Sequence, residues 1–279
     1  MSAHTLISPD ELAGLIGFPK GPIFIDVRPD EDFSADPRFV PGSIRRDHAS
    51  VAEWANAFAG RSAVVISRRG GKLGQGVAAW LRHARAAAET LEGGHEAWAA
   101  AGLPLIPESK LPARDAQGRT VWVTRSRPKV DRIACPWLIR RFVDPTAAFL
   151  FVAASEGAAV ADHYDAALFD IEGAFWGHRG DRCTFDALVD ELGLETDALR
   201  RLAVIVRGTD TGRPDLAPES AGLLAASLGL SRLYSDDLEQ LEAGMALYDA
   251  LYRWARAAAE APQVSRSSPL LANQETPDE

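Results

Sequence analysis

The sequence predicts an α/β chain in two parts: a parallel sheet flanked by helices, followed by a helix-rich α+β second domain. Three observations predict it. Residues 1–106 alternate short β-rich runs with helical periods, residues 107–119 lose apolar periodicity, and residues 120–260 are dominated by apolar residues spaced three and four apart. With 279 residues and 47% hydrophobic content, the chain is long enough to bury the cores of two medium domains.

In the first part, PIFIDV at 22–27 and AVVIS at 63–67 read as strands, GVAAWLRHAR at 76–85 as a helix and AAETLEG at 87–93 as a further strand. Strands alternating with helical periods imply crossover connections and hence parallel pairing. The segment 107–119, PESKLPARDAQGR, mixes Pro, Gly and charge and reads as a linker. VWVT at 121–124 opens the second part as a strand, and helices are expected near 131–142, 183–193, 196–207, 219–229 and 235–259. In the last of these, acids lead and Arg253 and Arg256 trail, as the helix dipole favours. Residues 261–279 are rich in Ser, Pro, Gln and Glu and are expected to be disordered.

No apolar run reaches 18 residues, and the first residues lack the charged-then-apolar layout of a secretory signal, so the expected location is the cytoplasm. Two cysteines, Cys135 and Cys183, cannot build a disulfide framework and suit a reducing compartment. The formal net charge of −9 argues against generic binding to nucleic acid, but residues 108–143 hold nine Lys or Arg against three acids, while residues 144–279 hold ten against twenty-four. That basic run is either a solvated connector or a local anion site.

The motifs IDVRPDEDF at 25–33, VPGSI at 40–44, VVIS at 64–67 and LEGGHEAWAAAGLPL at 91–105 resemble a rhodanese domain. The resemblance implies a cysteine at the end of the central strand, but that position holds Ser67. A serine hydroxyl cannot carry sulfane sulfur, so thiosulfate sulfurtransferase activity from this loop is not expected. Gly70 and Gly71 free the loop backbone, and Arg68, Arg69 and Lys72 add charge, so the loop is a candidate anion cradle; a retired scaffold or dimer surface is the alternative. Asp26 and Arg28 are expected to tie loops together.

Three segments resemble the C-terminal domain of the ChrB chromate-resistance family: WVTRSRPKVDRIACPWLIRRFVDP at 122–145, FDIEGAFWGHRGDRCTFDALVDELGL at 169–194 and LAVIVRGTD at 202–210. What the resemblance implies is a cytoplasmic accessory protein that helps a cell withstand chromate. Pro136 suits a first helical turn, which sets Cys135 at or just before a helix N-terminus, where a thiol pKa falls; Cys135 is therefore a candidate reactive thiol, with a buried structural thiol as the alternative. His178, Cys183 and Asp186 lie within nine residues around a Gly-containing turn and, with Asp210, are candidate ligands for one transition-metal ion, zinc or iron. Arg125, Arg127, Arg132, Arg140 and Arg141 form the candidate cluster for chromate or a similar oxyanion. Where the family usually has a His and an Asp before the retained Asp210, this chain has Arg207 and Gly208, which weakens the expected metal set. Expected partners are an oxyanion and a second copy of the chain; a membrane and nucleic acid are not expected.

Overall fold

The computed structural model describes residues 6–260; the predicted disordered tail at 261–279 lies outside them. In chain order the first part contains β1 (Leu6–Ile7), α1 (Pro9–Leu15), β2 (Ile23–Asp26), α2 (Asp30–Ala35), β3 (Arg38–Phe39), β4 (Ser43–Arg45), α3 (Val51–Trp54), β5 (Ser62–Ile66), α4 (Lys72–His83), β6 (Ala87–Leu91), α5 (Gly94–Ala100) and β7 (Ile106–Pro107). The main sheet has the order β1-β6-β5-β2-β4 with every pairing parallel. The central strands are apolar almost throughout, since both faces are covered: Val64 and Ile66 face one core, Ile25, Val27 and Val65 the other.

The second part continues with β8 (Val121–Arg125), α6 (Val130–Leu138), β9 (Ala148–Val152), α7 (Gly157–Tyr164), β10 (Ala167–Leu168), α8 (Thr184–Glu191), α9 (Asp197–Asp210), α10 (Ser220–Leu233) and α11 (Asp237–Glu260). A small parallel sheet, β10-β8-β9, sets β8 at its centre with α7 packed against it, while α9 packs against α8, α10 and α11. Among the described residues no helix is long and apolar enough to cross a membrane.

The two parts share one core. Phe24, Trp98 and Ile106 from the first belong to the same buried cluster as Trp137, Phe142 and Tyr252 from the second. Gly17, with φ of +86°, fits beneath Phe142 and Tyr252 because any Cβ there would approach both rings to 2.6 Å. The segment 107–119 is pinned rather than free: β7 pairs with β3, Lys110 bonds Glu191, and Arg114 bonds Asp144.

One local expectation is corrected. The helix carrying Cys135 begins at Val130, so Pro136 lies inside it and Cys135 is far from its N-terminus. An interior proline removes one amide donor and costs about 3 kcal/mol. Here every residue from Asp131 to Leu138 except Arg132 is buried, so tertiary packing outweighs that cost. The next turn, Ile139–Val143, widens to π-helical bonding, with the Asp144 amide donating to the Ile139 carbonyl at 2.8 Å.

Candidate functional site

The C-terminal ends of two adjacent parallel strands build the site, the place where open parallel sheets offer side chains to ligands. β8 runs through Arg125 into the turn that opens α6, and Asp131 falls in the first turn of that helix. β10 runs through Phe169, whose amide donates to the Val123 carbonyl, into Asp170 at φ of +51°. The following loop folds back, Trp176 accepting from the Asp170 amide, and presents His178. Asp210 arrives at the C-terminal end of α9, and Thr184 at the first position of α8.

These groups converge on one imidazole. His178 Nε2 lies 3.2 Å from Asp210 Oδ2, 3.4 Å from Asp170 Oδ1 and 3.6 Å from Asp131 Oδ2. Asp131, Asp170 and His178 can each offer a ligand atom, all within 4.8 Å of one another. Asp131 and Asp170 are 1% and 7% exposed, whereas the His178 side chain is 43% exposed and opens the cluster to solvent. The Thr184 amide donates to Asp131 Oδ2 at 2.6 Å and its hydroxyl to Asp170 Oδ1 at 3.0 Å. Arg132 and Arg125 approach Asp170 Oδ2 at 3.2 and 3.5 Å.

Burial, followed by the charges of Asp210 and Asp170, pushes the Asp131 carboxyl well above the usual carboxylate range. Burial and Asp170 likewise raise Asp210, against the opposing pull of His178 and Arg132. Burial, with Arg125 close by, lowers the Arg132 guanidinium. Asp131 Oδ1 is a buried oxygen with no hydrogen-bond partner among the described residues. Three crowded carboxylates, one imidazole and an orphaned oxygen are a donor set that a divalent cation satisfies: the carboxylates suit a hard ion, the imidazole a first-row transition metal.

His178 and Asp210 are thus brought together; Cys183 and Asp186 are placed elsewhere. Cys183 is the N-cap of α8, and Asp186 accepts from its amide at 3.1 Å while pairing with Arg182 and Arg207 at 3.6 and 3.5 Å. The Cys183 side chain accepts from the Asp186 amide, and burial pushes its pKa far up. Cys135 is fully buried, and burial raises its thiol well above its ordinary value, which favours the alternative of a buried structural thiol. Arg207 reaches Asp186, and a Cβ on Gly208 would approach Ser220 Oγ to 2.5 Å, so the two positions of departure from the family pattern lie outside the cluster.

The expected arginine cluster is dispersed. Arg127 straps the α10–α11 connection through Ser231 and Tyr234 carbonyls and Asp237, Arg140 pairs with Glu242, and Arg141 with Asp249. Only Arg125 and Arg132 remain beside the acids. Asp131 and Asp170 went unnoticed in the sequence; the available signal was a lone Asp shortly after each of two strands. In the first part, Arg68 and Arg69 both bond Glu96, Arg68 also bonds Asp32, and Lys72 opens α4. Arg28 is locked onto Asp26 and the Asp36 and Arg38 carbonyls, tying the loops as expected.

The fold and site define an α/β protein whose second part gathers acids and an imidazole at the ends of parallel strands. Residues 122–255 match the family model described as ChrB, C-terminal domain. The chain is 40% identical over 156 residues to Protein ChrB of Cupriavidus metallidurans, a match covering 54% of this chain and 46% of that protein. The chain thus spans about half the length of the curated relative it matches. Among solved structures, a rhodanese-related protein from Thermoplasma volcanium is similar over 37% of this chain and 99% of its own, at 20% identity and a TM-score of 0.33. A thiosulfate sulfurtransferase from Pseudomonas aeruginosa is similar over 37% of this chain and 19% of its own, at 22% identity and a TM-score of 0.33.

Proposed function

We propose that this protein is a cytoplasmic chromate-resistance accessory protein whose C-terminal domain binds one divalent first-row metal ion through Asp131, Asp170, His178 and Asp210. The observation that carries the reading is the convergence of three carboxylates on His178 Nε2 within 3.2–3.6 Å, with Asp131 Oδ1 left without a partner. Burying like charges this close is unfavourable without a cation. The expected zinc or iron remains in the reading, and the carboxylate-rich set adds manganese.

A bound ion supplies Lewis acidity toward an oxygen ligand. The chain supplies the rest. Thr184 orients Asp131 and Asp170, and Arg125 and Arg132 hold positive charge beside Asp170, suited to an oxyanion such as chromate. Exposed His178 leaves the approach open.

Elemental analysis of protein purified without added metal, followed by titration with Mn(II), Fe(II) or Zn(II), tests the reading. One equivalent per chain is expected, lost in Asp131→Asn and His178→Ala. Metal-free wild type that takes up none of the three ions sinks it, as does binding that survives both substitutions. Because His178 is half exposed, its variant is expected to fold even if the buried Asp131 variant does not.

A further inference from the structure

We propose that the groove between the two parts of the chain binds a small amphipathic carboxylate, an organic anion with an apolar body and one acidic head. The groove encloses about 320 Å³ and is lined from both sides: Phe18, Ile23, Phe24, Ile44 and Phe58 come from the first part, Arg140, Arg141 and Thr146 from the second. Neither part would hold the site alone, and a seam between packed units is where small-molecule sites concentrate. It lies at the far end of the main sheet from Ser67, since Ile23 opens β2 and Arg61 immediately precedes β5. It is equally separate from the Asp131 cluster, because Asp131 is in the first turn of α6 and Arg140 and Arg141 lie in the turn that follows the last residue of that helix.

The walls are fixed by backbone contacts. The Gly42 amide donates to the Phe142 carbonyl, which ties the residue before the edge strand β4 to the π-helical turn Ile139–Val143. Gly42 has φ of +75°, and a Cβ there would come within 3.2 Å of the Arg141 carbonyl, so glycine is what lets the two parts approach this closely. Widened turns of this kind recur at functional sites, and this one supplies two of the groove's arginines.

The composition of the lining selects the ligand. Over the whole chain acids outnumber bases by 39 to 30, yet the described residues lining the groove include Arg46, Arg61, Arg140 and Arg141 and no carboxylate. Arg140 and Arg141 pair with Glu242 and Asp249 of α11, outside the lining. Arg46 and Arg61 are exposed and make no ion pair among the described residues; the Arg46 guanidinium donates only to the Arg45 carbonyl. Guanidinium groups without a carboxylate, set over an aromatic and aliphatic floor, satisfy an acidic head and an apolar body at once. A hydrated inorganic anion would leave the floor uncovered, and a neutral hydrocarbon would leave the arginines unanswered.

Isothermal titration calorimetry of the full chain with octanoate and, separately, cinnamate tests the proposal, the first having an aliphatic body and the second an aromatic one. Wild type is expected to bind one equivalent of at least one of them, and the tighter of the two identifies the body. The matching amide, octanamide or cinnamamide, keeps the shape and loses the charge, so it should bind at least about tenfold more weakly. Arg46→Gln/Arg61→Gln should weaken carboxylate binding by a similar factor and leave amide binding unchanged. Ala57 is exposed on the lining, so Ala57→Trp should fill the groove and block both probes without disturbing the fold, which circular dichroism verifies. Arg125→Gln/Arg132→Gln should bind like wild type, which separates this groove from the acidic cluster. A wild type that binds neither carboxylate overturns the proposal, as does an amide that binds as tightly as its acid. Binding equal to wild type in Arg46→Gln/Arg61→Gln or in Ala57→Trp overturns it too.

Discussion

The amide of Thr184 donates to the Asp131 carboxylate at 2.6 Å, so the N-terminus of α8 is aimed at the most deeply buried acid of the cluster. One helix end cannot offset two neighbouring carboxylates. Without a cation, ionised Asp131 therefore works against the fold, and Asp131→Asn should raise the thermal midpoint of metal-depleted protein, by about 1 kcal/mol or more in stability at neutral pH. The same substitution should abolish the further rise on adding metal. Melting curves with chelator and with Mn(II) check both signs; a lower midpoint in chelator refutes the charge argument.

Arg28 and Asp26 form a bidentate pair, each about 1% exposed at the side chain, and Arg28 also holds the Asp36 and Arg38 carbonyls. Removing one partner leaves a buried charge unpaired, which costs about 3–5 kcal/mol. Arg28→Ala is expected to shift the urea midpoint by that amount, and Asp26→Leu/Arg28→Met to recover much of it. A single variant within about 0.5 kcal/mol of wild type would show the pair to be dispensable.

Much of the fold was legible because it rests on periodicity. Continuous apolar runs such as PIFIDV and AVVIS, set between helical periods, suit strands buried on both faces, and the spacing in 237–260 requires one long amphipathic helix. The site was half legible. His178 and Asp210 carry ligand chemistry in any context, but Asp131 and Asp170 look like ordinary strand-end or helix-capping residues until the sheet brings them together. Cys183 and Asp186 drew attention because thiol and carboxylate cluster in sequence, yet their spacing of three is also that of a capping box, and capping is where the fold uses them. Pro136 misled for a similar reason: local preference opposed a helix interior that the shared core imposes.

Both thiols are free and fully buried, and burial raises both pKa values. Neither can replace a sulfur-carrying nucleophile at position 67, because sulfur transfer needs an accessible thiolate. Wild type should show no thiosulfate-to-cyanide sulfur transfer above the uncatalysed rate, and native protein should resist a thiol-labelling disulfide reagent that modifies two groups per chain in denaturant. Rapid labelling of either cysteine in the folded state would overturn this.

His95 is 3% exposed, with Nε2 3.0 Å from the Arg38 carbonyl and Nδ1 3.8 Å from Asp36. Burial, then the positive charge of Arg28, lowers its pKa from the ordinary 6.5, against the smaller opposing effects of Asp36 and the Arg38 carbonyl. The sign follows from which state binds the proton first. As pH falls through 6.5 the unfolded chain protonates this histidine while the folded chain resists, so stability is full above that pH and declines below it. One such group gives a slope of at most about 1.4 kcal/mol per pH unit. Urea midpoints for wild type and His95→Gln between pH 7.5 and pH 5 isolate its share: the variant should start lower, having lost buried contacts, yet fall less steeply. Equal slopes in the two proteins would show that the imidazole stays as easily protonated in the fold as out of it.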